Sequence, residues 1–294
     1  MIEVKVIADS ISEVGKRITT MEIKFHRYIL PEFNTHRVFS RNFSSSRAIP
    51  TAKLLEQVRT KPAMPIHWGK NQPGMQAKEE LSGAALDNAM QQWQLAAETA
   101  AAHAEGLAAQ GAHKQIVNRI LEPFLYVTGI VTSTEYDNWD QLRAHEDAQP
   151  EIHYLALKMR EARLYSKPKL LVPGEWHLPY VSIEEQNDGF FKHPANKFML
   201  QKISAARCCR VSYLKHDGSL PNIDDDLALF QRLAGAVPIH ASPLEHQATP
   251  DDLDYAEDGY TCLGFRKRSM HGNFYGWVQY RKLWEESMYT QIKI

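Results

Sequence analysis

Four cationic side chains, His36, Arg37, Arg41 and Arg47, fall within about a dozen residues, interleaved with Ser40, Asn42, Ser44, Ser45 and Ser46. Guanidinium forks bind phosphate bidentately, and short hydroxyls and amides complete the remaining acceptors. The stretch from Phe33 to Pro50 contains no Asp or Glu, so it suits a phosphorylated ligand. The same composition also describes a solvated basic loop, and only spacing can separate the two readings.

The spacing His36-Arg37-x-x-Ser40-x-Asn42-x-x-Ser45-x-Arg47 resembles the R-H-R-x-x-S-x-N-x-x-S-x-R signature of the flavin-dependent thymidylate synthases. Thr35 stands where that family has its first arginine, Phe43 where it has glutamate and Ala48 where it has an aromatic residue. Further stretches add to the resemblance. Ser204–Ser212 is similar to S-A-x-R-x-A-R-V-S, and His240–His246 to H-E-T/S-P-x-E-H, with Ala241 in place of the acid. Val117–Pro123 and Asn138–Ala144 resemble A-R-x-x-L-P and N-F-L-x-L-R. The family runs A-R-V-S, P-x-E-H, signature, L-R; here the signature comes first and A-R-V-S with P-L-E-H last. That order implies a circular permutation joined near residues 166–203, which close surface termini tolerate.

The resemblance implies reductive methylation of dUMP, with FAD as cofactor and methylenetetrahydrofolate and NADPH as co-substrates. It gives Arg37, Ser45, Arg47, Arg119 and Arg143 to the nucleotide, with Ser45 and Arg143 as the catalytic pair and Arg143 at the pyrimidine. His36, Ser40, Asn42, Asn138, Gln141, Asp147, Ser212, His240, Ser242 and Glu245 fall to the flavin side. A homotetramer with sites between subunits is implied as well. Hydroxymethylation of dUMP, modification of dCMP and a non-catalytic nucleotide-binding module are the alternatives. Read without the resemblance, Arg119 and Arg143 offset helix dipoles, Asp147 caps a helix, and the paired cysteines are small buried residues.

The whole chain sets bounds on these readings. A formal net charge of −1 speaks against a nucleic-acid or membrane-surface binder. Cys208, Cys209 and Cys262 offer neither a disulfide framework nor zinc spacing, which fits a reducing, cytoplasmic setting. There is no signal-type amino terminus and no bilayer-length apolar run, and no metal site is expected. No dinucleotide fingerprint is present, so a flavin needs another device.

The elements that must position these residues follow from periodicity. Residues 2–9 and 19–29 alternate as two strands of a hairpin-like pair, and the signature opens a short helix followed by a serine loop. Residues 83–110 repeat at helical spacing with Trp93 and Met90 on the core face, stopped by Gly111. Helical patterns recur after His113 and Pro150, around 203–213 and at 223–234, the last capped at Asn222 or Asp224. Val127–Thr134 is β-branched. The fold class expected is α+β, an antiparallel sheet flanked by long helices. One domain spans 1–294, with segments 1–165 and 197–294 joined by a proline-marked connection, 166–196.

Overall fold

The computed structural model describes residues 1–193, 196, 198–211, 219, 222–236 and 238–292, with side chains described to residue 288. Its centre is the hairpin of β1 (Glu3–Ser12) and β2 (Arg17–His26), turned by Gly15 at φ +74°. β3 (Ser40–Phe43) and β4 (Tyr126–Ser133) extend the sheet beyond β2, and β5 (Lys169–Leu171) adds to β1, giving the order β3-β4-β2-β1-β5. The β1–β5 pairing is parallel, so the expected antiparallel sheet is a mixed one. The serine loop also gives way at its start to β3, whose backbone pairs with β4.

Strand alternation sorts the residues of the sheet onto two faces. Met21, Ile23, Phe25, Val127 and Val131 face one core with Phe33, Phe39, Trp139, Ile152, Leu155 and Met159. These come from α1 (Leu30–Phe33), α5 (Asp137–Arg143), α6 (Pro150–Tyr165) and the turn before β3. The other face is polar along one register row, Ser40 opposite Thr132 opposite Thr20.

That polar face is covered by the carboxy-terminal part of the chain. α7 (Ile183–Asn187) and α8 (Gly189–Lys192) precede α9 (Met199–Arg210) and α10 (Ile223–Ala234). The short strands β6 (Ala248–Pro250), β7 (Leu253–Tyr255), β8 (Cys262–Phe265) and β9 (Trp277–Gln279) follow, then α11 (Tyr280–Ile292). Asn222 caps α10 in a reciprocal box with Asp225. Arg207 ties α9 to the fully buried Asp226 of α10 at 2.9 Å and to Glu185 of α7 at 2.6 Å.

A third layer packs α2 (Thr51–Thr60), α3 (Ala84–Ala109) and α4 (Lys114–Leu121). Ala97, Ala101 and Ala104 are the buried residues of α3, small enough to bring the helices close, and Trp93 is partly buried beside them. Met90, expected on the core face, is exposed instead, because it lies outside the stripe from Trp93 to Leu107 that meets the neighbouring helices. No helix among the described residues is long and apolar enough to cross a membrane.

Candidate nucleotide site

β3 carries the signature at the sheet edge, with successive side chains on opposite faces. Ser40 and Asn42 share the polar face. Ser40 Oγ meets Asn273 and accepts from Gln279 Nε2 at 3.4 Å. Asn42 Nδ2 donates to the carbonyls of Cys208 (2.9 Å) and Cys209 (3.4 Å), and Asn42 Oδ1 accepts from Ser242 Oγ at 3.4 Å. These carbonyls lie in the last turn of α9, where helical partners run out, so Asn42 completes that end. Val211 then leaves the helix at φ +56°, a left-handed turn uncommon for a β-branched residue.

Between α1 and β3 the chain buries His36 against Trp139, ring centroids 4.7 Å apart. His36 Nε2 accepts from Arg143 Nε at 2.9 Å, so its proton sits on Nδ1. Burial, then the Arg143 and Arg41 charges, hold the ring neutral, its pKa near 4. A second Arg143 nitrogen donates to Glu32. Arg41 has no carboxylate in ion-pair contact among the described residues: its guanidinium donates to the carbonyls of Asn34, His36 and Phe39, and burial draws its pKa down.

After β3 the chain turns through Ser44–Ile49, clamped from α4. Asn118 Nδ2 donates to the carbonyls of Ser46 (2.8 Å) and Ile49 (3.1 Å). Glu122 gathers Ser46 Oγ at 2.6 Å, Arg119 at 2.8 Å and Arg27 at 3.1 Å on one oxygen. Arg119, expected at the nucleotide phosphate, is thus paired within the chain. Arg37 and Arg47 are exposed, with no side-chain partner among the described residues, and Ser45 is half-buried.

Other expected positions scatter. Asn138 and Gln141 are exposed on α5, and Asp147 lies 3.2 Å from Lys78. His240 is exposed, while Glu245 is half-buried and paired with Arg281. Ser212 lies outside the described residues. Cys208 is buried, and burial raises its thiol far above the usual range, which suits packing and not nucleophilic attack.

His36, Ser40 and Asn42, given by resemblance to the flavin, thus commit polar atoms to protein partners. The ring of Phe43 sits over Gly129, where an added Cβ would meet it at 1.9 Å, so the residue replacing the family's glutamate is core. Within one chain these residues do not form a flavin cradle. Sequence reasoning missed Asn118, Glu122, Asn273 and Gln279, the clamps of the signature. Asn118 alone left a trace, a polar residue beside Val117 on the buried side of an amphipathic helix.

No protein-family model matches the sequence, and no curated protein matches it. Two crystal structures of the UMP/dUMP methylase PolB from Streptomyces cacaoi, bound with 5-Br UMP and 5-Br dUMP, are similar in outline. Their TM-scores are 0.44 and 0.43 at 16% and 15% identity, covering 55% of this chain and 88% and 90% of those chains. A likeness of that degree leaves the reading of the site with this chain's own residues.

Proposed function

We propose that the chain binds a pyrimidine deoxynucleotide monophosphate beside the signature and transfers a one-carbon unit to its base, in the manner of a flavin-dependent thymidylate synthase. One observation carries this reading. Stretches far apart in sequence, 117–123, 138–144, 204–209 and 240–246, all send side chains or carbonyls to residues 36–46. A solvated basic loop has no need of four such anchors.

Arg37 and Arg47, exposed and without a side-chain partner among the described residues, are the cations for the phosphate, with Ser45 between them in sequence. Arg143 is the candidate for the base, its fork oriented by His36 and Glu32. FAD, methylenetetrahydrofolate and NADPH belong to this reading through the sequence resemblance, as does a tetramer with sites between subunits; bound flavin would supply hydride. The protein partners already held by His36 Nε2, Ser40 and Asn42 favour, as a second reading, a nucleotide-binding role without flavin chemistry.

Calorimetric titration with dUMP and dCMP tests the proposal. Losing a charge-assisted hydrogen bond costs about 1.5–3 kcal/mol, roughly one to two decades in affinity. Arg47→Ala weakens both nucleotides alike, since they share the phosphate, and Arg143→Ala changes their ratio. Unchanged affinities in both variants would return the cluster to solvated surface. A yellow purified protein that turns over dUMP supports the flavin reaction; a colourless one that binds without turnover decides for the second reading.

A further inference from the structure

Five buried groups form a continuous hydrogen-bonded chain across the polar face of the sheet. Ser10 Oγ lies 2.9 Å from His177 Nδ1, and His177 Nε2 lies 2.8 Å from Thr20 Oγ1. Thr20 Oγ1 is 2.7 Å from Thr132 Oγ1, which is 2.8 Å from His246 Nδ1. None of the five is more than 5% exposed. His246 Nε2, at the far end, is buried without a partner among the described residues.

Burial keeps both rings neutral, their pKa values near 3, so each imidazole carries one N–H. The proton count then selects a direction. Suppose Ser10 donates to His177 Nδ1, His177 Nε2–H to Thr20, Thr20 to Thr132, and Thr132 to His246 Nδ1. Every hydroxyl proton is then bonded, and one N–H, at His246 Nε2, is left over. Run the other way, the chain leaves the Ser10 proton without an acceptor and His246 Nε2 without a donor. A converging reversal midway sends two donors to one hydroxyl and strands that hydroxyl's own proton; a diverging one leaves the 2.7 Å Thr20–Thr132 contact without a proton.

We propose that Ser10, His177, Thr20 and Thr132 form a one-way relay that fixes His246 as its Nε2–H tautomer and makes it the site's donor toward a carbonyl-bearing base. His246 closes the same 240–246 stretch whose Ser242 reaches Asn42, and Thr132 is the register partner of Ser40. A buried donor without an acceptor is unfavourable, and a ligand carbonyl that reaches it relieves that state. Uracil offers a carbonyl at the ring position where cytosine carries an amino group, so two donors would oppose each other with cytosine. The choice of base rests on the nucleotide reading above; the tautomer does not.

Long-range nitrogen–proton spectra of protein labelled with ¹⁵N-histidine test the relay without nucleotide. His246, assigned by the signal lost in His246→Gln, is expected as a single Nε2–H tautomer. Thr132→Val removes the donor to Nδ1 and turns that signal into a tautomer mixture. A wild-type Nδ1–H tautomer overturns the relay, and so does a pattern unchanged in folded Thr132→Val. Adding dUMP should shift the His246 Nε2–H resonance and dCMP should not, with dUMP bound at least about tenfold tighter. Equal responses to both remove His246 from base selection. If calorimetry finds neither nucleotide bound, the nucleotide reading fails with its recipient base, while the tautomer result stands.

Discussion

His36, His177 and His246 are neutral because water is kept from them, and that has a thermodynamic sign. Their folded pKa values, about 4, 3 and 3, lie below the unfolded value of about 6.5. Between those limits the unfolded chain binds more protons, so stability is full above about pH 6.5 and falls on acidification. Each contributes a slope of about 1.4 kcal/mol per pH unit, together about 4 kcal/mol per unit near pH 5. Urea midpoints at pH 7.5, 6 and 5 should drop accordingly; a flat profile would mean the rings are solvated. Only part of this was legible in the sequence. Spacing marked His36 as special, but nothing in the sequence tells that its Nε2 meets Arg143, because that bond joins residues 107 apart. His246 was marked only as the end of the P-L-E-H stretch and His177 not at all, since a relay exists only once three strands are in register.

At the scale of elements, the signature's middle residue acts as a helix terminator. Asn42 reaches from a strand to the two carbonyls ending α9, so Asn42→Ala removes the side-chain donor from both and leaves Cys208 O only the Val211 N–H at 3.2 Å. A loss of about 1–2 kcal/mol is expected, read from urea denaturation. Unchanged stability would make Asn42 a residue that only orients a ligand, as the resemblance alone implies. α3 and α10 were read well from the sequence because period and caps are local: Gly111 and Asn222 stand where they stop and start, whereas α2 and α11 were not read. β3 was missed because Ser-Arg-Asn-Phe has no β-branched residue and no alternation, and its strand character comes from β4 alone.

For the molecule as a whole, bonds between residues far apart in the chain close the site. Ser40 meets Asn273, and Thr132 meets His246, across more than a hundred residues. A chain ending at Tyr165 keeps β1–β4 and α1–α6 but uncovers Thr20, Ser40 and Thr132. It should show no cooperative urea transition by circular dichroism, whereas a sharp one would make residues 1–165 a domain in their own right. Such closure was not legible in the sequence. The proline-marked connection, residues 166–196, looked like a seam, yet it supplies β5 to the sheet and His177 to its polar face.

The order of the sheet also bears on self-association. β2 lies inside, while β5 covers only Ser10–Ser12 of β1 and leaves residues 3–9 as an edge; β3, of four residues, is the opposite edge, carrying Arg41. Along the open rim of β1 the exposed Glu3 and Lys5 place charges, and the irregularity between Val6 and Ala8 breaks the regular run, two devices that keep a long edge from pairing with a neighbour. The apolar alternation that builds the centre of this protein is thereby denied a long template for stacking chain upon chain.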